Sequence, residues 1–314
     1  MLLPYPKNDK WGFVDERGNW RIKSKYSRAD VFCEGLSVVR NLNGGYGAIN
    51  HKGRLKIPFV YRELESFHGG ESVGCKFGSS DYEIITCSGE SVVVKDSKWI
   101  DKLGGALFAV RRKSDGFSIV NHKGMGINAI RYQSVLGMDS AYGLIHCKRR
   151  GRWCIEDVYG NVSRVFEVED MHELCRGRAI AYVNGMWGVI DIHGKEIISF
   201  GFKSIQRIDD MLDRYVLVEI VGEESGNFHL YDMQSDYVSD WTVDAMRRVS
   251  IGERDVYWVL RNDMWSVMND KFEIIMPNVG YSLVTIKGDN LVRVECDAGF
   301  QYLVFEKDRY EKLF

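Results

Sequence analysis

Short apolar segments of strand length recur along the chain and are separated by turns that contain glycine. Residues 36–40 and residues 215–218 are typical, because each is dominated by β-branched, aliphatic or aromatic side chains, which favour strands. The turn Asn43-Gly44-Gly45 then leads into a second strand, as in a β-hairpin. No stretch keeps the 3.6-residue period of a long amphipathic helix. The pattern therefore predicts an all-β fold.

The second strand of each hairpin begins with an aromatic residue, called the anchor below. The nine anchors are Trp11, Tyr46, Tyr82, Phe117, Trp153, Trp187, Phe228, Trp265 and Phe300. Most successive anchors are 34 to 37 residues apart, with one interval of 41 between Trp187 and Phe228. Six turn glycines each follow their anchor by seven residues, namely Gly18, Gly53, Gly89, Gly124, Gly160 and Gly194. A register this regular indicates an internal repeat of about 36 residues.

Each repeat predicts three antiparallel strands followed by a connector. The turn after the anchor strand places Asp15 or Asn50 first and glycine last. An Asx side chain caps such a turn, and glycine adopts a positive φ without a Cβ clash. The anchor ring is expected to fill the space between neighbouring sheets, while a glycine beside it lets another backbone approach closely.

A lone three-stranded repeat cannot bury both of its faces, so the copies are expected to stack on one another. The chain is then a single repeat domain over residues 1–314, built as a tandem array of about nine copies. Two architectures fit this array. A propeller-like ring or near-ring is favoured by the offset ends of the chain, and an open, curved β-solenoid is the alternative.

Three copies keep the pattern most closely: Trp11-Gly12-Phe13-Val14-Asp15, Tyr46-Gly47-Ala48-Ile49-Asn50 and Trp187-Gly188-Val189-Ile190-Asp191. Glu34-Gly35-Leu36 precedes a strand and Ile57-Pro58 follows one. With these features the chain resembles the bacterial WG-repeat family. The resemblance implies a β-rich interaction module, and some such modules are encoded beside bacterial toxins. The family has no shared catalytic residues, so the resemblance implies none here.

Composition narrows the class of protein. The chain has 314 residues, of which 45% are hydrophobic and 27% charged, as in ordinary soluble domains. A formal charge of -2 provides no general attraction to nucleic acid or anionic lipid. Seven cysteines without a Cys-x-x-Cys pair argue against a disulfide framework and a standard zinc site. No apolar run fits a secretory signal or a membrane helix. We expect a cytoplasmic protein without cofactor or metal.

The candidate chemical groups mostly have structural interpretations. His51 and His122 occupy the same turn two repeats apart, and His193 lies one place later in its own turn. A row of metal ligands is one interpretation, but whole-repeat spacing favours solvated turn residues. The cysteines at positions 75, 147 and 154 are interpreted as small buried side chains. No nucleophile, phosphate-loop or metalloprotease motif is present, so we expect no enzyme.

Basic residues concentrate at the hairpin tips of two neighbouring repeats. Equivalent tips should lie side by side, while the tip two repeats further on carries Glu219, Glu223 and Glu224. The predicted basic patch could dock on an acidic protein surface; solvated surface is the alternative, and nucleic acid is the weaker partner. The seven patch residues are Arg111, Arg112, Lys113, Lys148, Arg149, Arg150 and Arg152.

Three functions follow as hypotheses. The first is a non-enzymatic protein-binding repeat scaffold, most concretely an immunity or antitoxin-type protein that binds and blocks a bacterial toxin, as the family resemblance implies. The second is a small-molecule or glycan-binding β-propeller that uses its central axis or an exposed aromatic such as Trp241. The third is an enzyme with a site assembled across repeats, which would need convergent carboxylates or a Cys/His pair.

Overall fold

The computed structural model describes residues 1–139, 141–209, 212–251, 254–280, 282–286, 291–296, 299–306 and 309–312. Across these ranges the regular elements are all β-strands, as predicted. None of the described residues forms a helix that could span a membrane. The chain divides into two compact units, Met1–Gly151 with Glu156–Ser163 and Arg152–Ile155 with Arg164–Phe314.

The first compact unit consists of antiparallel sheets whose neighbouring strands follow one another in the chain. Its sheets have the orders β1-β2-β3, β4 to β10 without a crossover, and β11-β12-β13, and β14 pairs with β15. The strands are β1 Leu3–Lys7, β2 Lys10–Val14, β3 Trp20–Tyr26, β4 Arg28–Ala29, β5 Leu36–Arg40, β6 Tyr46–Asn50, β7 Leu55–Leu64, β8 Glu71–Lys76, β9 Tyr82–Thr86, β10 Ser91–Val94, β11 Ser97–Gly104, β12 Leu107–Arg112, β13 Phe117–Asn121, β14 Ser134–Asp139 and β15 Leu144–Arg149.

The second compact unit repeats this design. Strands β16 Arg152–Glu156 and β17 Val162–Phe166 each contain residues of both units. The sheets that follow have the orders β18 to β24, β25 to β28 and β29 to β32. Their strands are β18 Asp170–Met171, β19 Arg178–Val183, β20 Met186–Asp191, β21 Glu196–Arg207, β22 Tyr215–Ile220, β23 Phe228–Asp232, β24 Tyr237–Val243, β25 Ala245–Ile251, β26 Arg254–Arg261, β27 Met264–Met268, β28 Ile274–Gly280, β29 Ser282–Ile286, β30 Leu291–Cys296, β31 Gly299–Glu306 and β32 Arg309–Lys312.

The connector, expected only to link repeats, supplies a further strand that pairs with the first strand of the next repeat. In β7, Ile57 pairs with Ala48 of β6, whereas Glu63 pairs with Cys75 of β8. Tyr61 lies between the two halves and pairs in both directions. A single long strand therefore joins two repeats into one sheet, and β21 does the same between β20 and β22.

A bulge in the third strand explains the glycine beside the anchor. Tyr46 pairs with Tyr61 and Ala48 with Ile57. Between these two pairs, Gly47 alone on the anchor strand faces three residues, 58–60, on the third strand. A Cβ added to Gly47 would lie 2.5 Å from the carbonyl oxygen of Ile57. This confirms the predicted close approach of a neighbouring backbone. Equivalent contacts lie at Gly12 and Gly188, and the Trp265 repeat instead places Ser266 under its bulge.

The turn after the anchor strand has the predicted capping. Oδ1 of Asp15 accepts hydrogen bonds from the backbone N–H groups of Arg17 and Asn19, at 3.0 and 2.9 Å. Gly18 has φ 76° and Gly53 has φ 71°, which glycine adopts without a Cβ clash. A Cβ at Gly53 would touch the side chain of Ile22 in the preceding repeat at 3.4 Å. This turn therefore packs against the repeat before it.

The apolar core lies between consecutive sheets. One cluster joins Phe13 and Ile22 of the first repeat to Val39 and Ile49 of the second. Of the eight anchors whose side chains are described, four are buried and four are half-buried, which confirms their packing role. The side chain of Phe300 lies outside the described residues. Ring closure, the repeat count and a single domain over residues 1–314 stay predictions.

Candidate functional site

The loops that join the first strand of each repeat to its anchor strand are called hairpin tips here. In the first compact unit they are residues 8–9, 41–45, 77–81, 113–116 and 150–151. Adjacent tips touch at one point, because the ammonium group of Lys113 donates to Ser80 Oγ at 3.0 Å and to the carboxylate of Asp81. These two tips therefore lie side by side, while the same arrangement for the two basic tips stays a prediction.

Side chains at the start of the connector strands hold the tips in place. The hydroxyl of Ser27 donates to the carbonyl oxygen of Asn41 at 2.9 Å. The hydroxyl of Ser114 donates to the carboxylate of Asp96 at 2.5 Å. The side-chain oxygen of Gln133 accepts a hydrogen bond from the N–H of Gly151. The tips are thus braced loops on a rigid scaffold, an arrangement that suits recognition.

Arg112, one of the predicted patch residues, is used inside the protein. Its Nε donates to Ser118 Oγ at 2.7 Å, and its Nη1 donates to the carbonyl oxygen of Lys95 at 2.7 Å. Burial, and then the neighbouring charge of Arg131, lowers the pKa of Arg112. This guanidinium fixes the shape of its tip and is poorly placed to contact a partner.

Arg149 compensates a buried carboxylate. Its Nη1 lies 2.9 Å from Oε2 of Glu156, whose side chain is 0% exposed. The hydroxyl of Tyr132 donates to the other carboxylate oxygen at 2.5 Å. Burial and that hydrogen bond raise the pKa of Tyr132. The positive charge that the sequence assigned to the surface at this position is therefore paired inside the repeat.

The same three-residue arrangement recurs two repeats earlier. Glu83 is buried, its carboxylate lies 2.9 Å from Nζ of Lys76, and it accepts a hydrogen bond from the hydroxyl of Tyr61 at 3.4 Å. Burial, followed by the charge of Glu83, raises the pKa of Tyr61 to about 12. A connector tyrosine and the basic residue that ends the first strand thus neutralise a buried glutamate in both repeats.

The remaining basic residues face solvent to different degrees. Arg111 and Arg150 are exposed in the first compact unit, and Lys148 is half-buried. Arg152 is exposed but belongs to the second compact unit. Arg131, which the sequence reasoning missed, is exposed on the connector beside the tip at residues 114–116. The sequence offered one sign of this position, because Arg131 directly precedes Tyr132, the tyrosine that recurs in the connectors.

Apolar side chains at the tips were also missed. Leu42 is 59% exposed, Phe77 is 57% exposed and Val60, on the connector strand, is 40% exposed. The N–H of Phe77 donates to the carbonyl oxygen of Val60 at 3.0 Å, so these two residues are adjacent. The signal in the sequence was an apolar residue among the Asn, Gly, Ser and Asp of each tip.

The acidic tip of the second compact unit is only partly a surface feature. Glu219 is buried and accepts from Lys203 Nζ at 2.8 Å and from the N–H of Gly226 at 3.1 Å. Oε2 of Glu223 lies 2.8 Å from Nε2 of His229. Glu224 is exposed. Two of the three predicted acids therefore have partners within their own repeat.

Other candidates from the sequence have structural surroundings. His51, His122 and His193 are exposed turn residues, and the thiols at positions 75, 147 and 154 are buried, as interpreted. Trp241 is half-buried, with its ring centroid 6.0 Å from that of Phe272 and 5.5 Å from the guanidinium of Arg261. Trp241 is therefore a packed side chain rather than the exposed platform that glycan stacking would use.

Comparisons with solved structures find chains of low sequence identity. BamB from Moraxella catarrhalis is 12% identical, with 88% of this chain and 95% of that chain covered and a TM-score of 0.45. The C-terminal WD40 domain of Sif2 is 11% identical, with 90% and 92% covered and a TM-score of 0.47. Hsv2p of Kluyveromyces lactis is 10% identical, with 80% and 95% covered and a TM-score of 0.47.

Among curated protein sequences, none matches this chain. The family model of the WG containing repeat matches residues 11–45, 46–70 and 187–210. These segments contain the three copies that keep the pattern most closely, so the predicted resemblance is confirmed. These three segments are similar to the WG containing repeat, and the chain as a whole is a scaffold of β-repeats.

Proposed function

We propose that this chain is a non-enzymatic scaffold that binds another protein through the hairpin tips of the first compact unit. The observation that carries the proposal is the exposure of three arginines around those tips: Arg150 on a tip, Arg131 on a connector and Arg111 near the end of β12. Arg112, Lys113 and Arg149 are instead paired with groups of the protein itself. Exposed arginines on braced loops provide ready contacts for a carboxylate surface.

An acidic protein fits this face better than nucleic acid does. Complementary charge steers association and fixes the orientation of a partner. A nucleic-acid site would need a larger basic surface, whereas the whole chain carries a formal charge of -2. The acidic partner is therefore recognised locally, by a few arginines, and not by the general field of the molecule.

The most concrete form of the proposal is a cytoplasmic bacterial immunity or antitoxin-type protein that binds a toxin and blocks it. The WG-repeat assignment supports this form by analogy. Such a role requires tight binding and no catalysis, and a repeat scaffold with variable tips can provide it. The toxin would present carboxylates to the tips of the first compact unit.

Binding to the product of the adjacent reading frame tests the proposal. The two proteins are co-expressed, purified and titrated calorimetrically, with the double variant Arg131→Glu and Arg150→Glu beside wild type. We expect a complex that relieves toxicity and an affinity at least about tenfold lower for the double variant, with strong salt dependence. Arg149 is left intact because its replacement would unpair Glu156.

A matched charge reversal away from the tips provides the control. Lys52 and Lys123 are exposed in the turns after two anchor strands, so Lys52→Glu with Lys123→Glu changes the net charge equally. This control should bind like wild type. Equal affinity of wild type and the Arg131/Arg150 variant would show that the tips are not the docking face, and absence of any complex would refute the immunity role.

A further inference from the structure

We propose that Leu42, Val60 and Phe77 form the apolar centre of the docking face, and that the partner is a protein with an apolar pocket flanked by acidic residues. This inference rests on the proposed function and specifies the chemistry of the partner. The three side chains are 40–59% exposed. They stand on two tips and the connector strand between them.

The pairing pattern places the three residues close together. Tyr61 of the connector strand pairs with Tyr46, where the first tip ends, and with Lys76, where the second tip begins. Val60 precedes Tyr61, and its carbonyl oxygen accepts the N–H of Phe77 at 3.0 Å. Both tips therefore flank the same short stretch of connector, with Val60 between them.

The tip that carries Leu42 is held in one conformation. Oδ1 of Asn41 accepts the N–H of Gly45 at 2.9 Å, and the N–H of Asn41 donates to the carbonyl oxygen of Gly45 at 2.8 Å. Nε of Arg40 donates to the carbonyl oxygen of Gly44 at 3.1 Å. Leu42 projects from a closed loop, so little conformational freedom remains to be lost when a partner covers it.

The tip that carries Phe77 is braced in a similar way. The hydroxyl of Ser79 donates to the carbonyl oxygen of Asp81 at 2.9 Å, and the N–H of Asp81 donates back to that hydroxyl at 3.0 Å. Nη1 of Arg62 donates to the carbonyl oxygen of Ser79 at 3.3 Å. The loop is thus preorganised around an exposed aromatic ring.

An exposed apolar side chain on a rigid loop is costly unless a partner covers it. Removing apolar surface from water favours association, and clustered exposed apolar residues mark interaction sites. Buried anchors of this kind dominate many interfaces, surrounded by charged residues at the rim. Leu42, Val60 and Phe77 supply the anchors, and two exposed arginines beside the neighbouring tip, Arg111 in β12 and Arg131 on the connector, supply the rim.

Charge decides between a different protein and a second copy of this chain. Lys113 joins the tip of Phe77 to the next tip through Asp81, and Arg111 is exposed in β12, the strand that leads into that next tip. Two copies packed through this face would bring their arginines together, which is unfavourable. The occupant is therefore a different protein, with carboxylates beside the pocket that receives Phe77.

Selection from a random peptide library tests this chemistry without a known partner. Peptides are selected on the immobilised full chain, and the enriched sequences are synthesised and titrated by fluorescence anisotropy. We expect Leu, Phe or Trp next to Asp or Glu in the enriched peptides. Phe77→Ser should weaken binding by at least about tenfold, as loss of a central anchor does, and Arg150→Glu should weaken it as well.

A second exposed aromatic provides the control. Tyr159 is 73% exposed in a turn after an anchor strand, so Tyr159→Ser removes a comparable ring elsewhere and should leave peptide affinity unchanged. Thermal unfolding of all variants should match wild type, because these rings are not in the core. Sedimentation velocity on the full chain should show a monomer.

Three results would overturn the inference, and they separate it from the proposed function. Acidic peptides that depend on Arg150 but not on Phe77 would remove the apolar centre and leave the basic docking face intact. Peptides that depend on neither residue would remove both. A dimer that Phe77→Ser dissociates would show that the apolar centre receives a second copy of this chain.

Discussion

The Tyr46 and Tyr82 repeats are neighbours in one sheet, yet they differ at the residue after the anchor. In the Tyr46 repeat this residue is Gly47, and the bulge of the third strand passes directly over it. In the Tyr82 repeat it is Glu83, and the third strand pairs with the anchor strand in a regular register. Without a bulge, a side chain fits, and Glu83 turns inward to Lys76.

The difference teaches that the glycine of the repeat is a consequence of strand pairing. Where the bulge lies over the residue after the anchor, that residue must be very small. In the Phe228 repeat the bulge lies one position later, between His229 and Tyr231, and a histidine occupies the glycine position. In the Tyr82 and Phe228 repeats, therefore, the third strand pairs differently and a buried polar residue, Glu83 or His229, replaces the close backbone contact.

The largest effect is expected in the Trp153 repeat, where the buried carboxylate of Glu156 depends on the positive charge of Arg149. Arg149→Met should lower the free energy of unfolding by about 4 kcal/mol, because Glu156 is left buried and unpaired. Arg150→Met, an exposed neighbour, should change it by less than about 0.5 kcal/mol. Urea denaturation measures both. Adding Glu156→Gln to Arg149→Met should restore part of the loss; equal effects of the two arginines would contradict the internal pairing.

A smaller effect is expected at Gly47 in the Tyr46 repeat, which keeps the sequence pattern closely. Gly47→Ala should destabilise the protein by roughly 3 kcal/mol, because the new Cβ meets the Ile57 carbonyl oxygen and overpacking shifts the backbone. Gly201→Ala is the control, since a Cβ there has nothing within 4 Å. The same denaturation series compares them. If the two alanines cost the same, the bulge does not explain the glycine.

Local features of the fold could be predicted from the sequence because each depends on residues close in the chain. Asp15 caps a turn that ends three residues later, and Gly18 closes it with a positive φ. The regular spacing of the anchors then indicated the repeat. The connector strand was missed because its partner lies in the following repeat: Glu63 pairs with Cys75, and only the three-dimensional register shows this.

The candidate site was harder to predict for the same reason. Basic residues were visible at the tips, but the partner of each one was not. The carboxylate that pairs with Lys113 lies 32 residues earlier, and the one that pairs with Arg149 lies seven residues later on an adjacent strand. The number of basic residues in the sequence therefore predicted a larger basic surface than the structure has. Leu42 and Phe77 were overlooked because the reasoning considered only charged residues at the tips.

The smallest effect, and a dependence on pH, is expected from the histidine that replaces the glycine in the Phe228 repeat. Nδ1 of His229 lies 2.7 Å from the carbonyl oxygen of Ser239, and Nε2 lies 2.8 Å from Oε2 of Glu223. Burial alone would lower the pKa of His229, but these two bonds outweigh it and raise the pKa. Both partners accept hydrogen bonds, so the doubly protonated ring fits the site.

Because the pKa of His229 is raised by folding, its contribution is fully present below its unfolded pKa of about 6.5 and is lost as pH rises through the folded pKa. Wild type should therefore lose stability, relative to His229→Gln, between about pH 6 and pH 8. Urea denaturation at both pH values measures this difference, and ring nitrogen chemical shifts report the proton directly. A stability difference that does not change with pH would show that the imidazole of His229 stays neutral. The Phe228 and Tyr82 repeats would then both bury a polar side chain after the anchor, but only the Tyr82 repeat would bury a charged one.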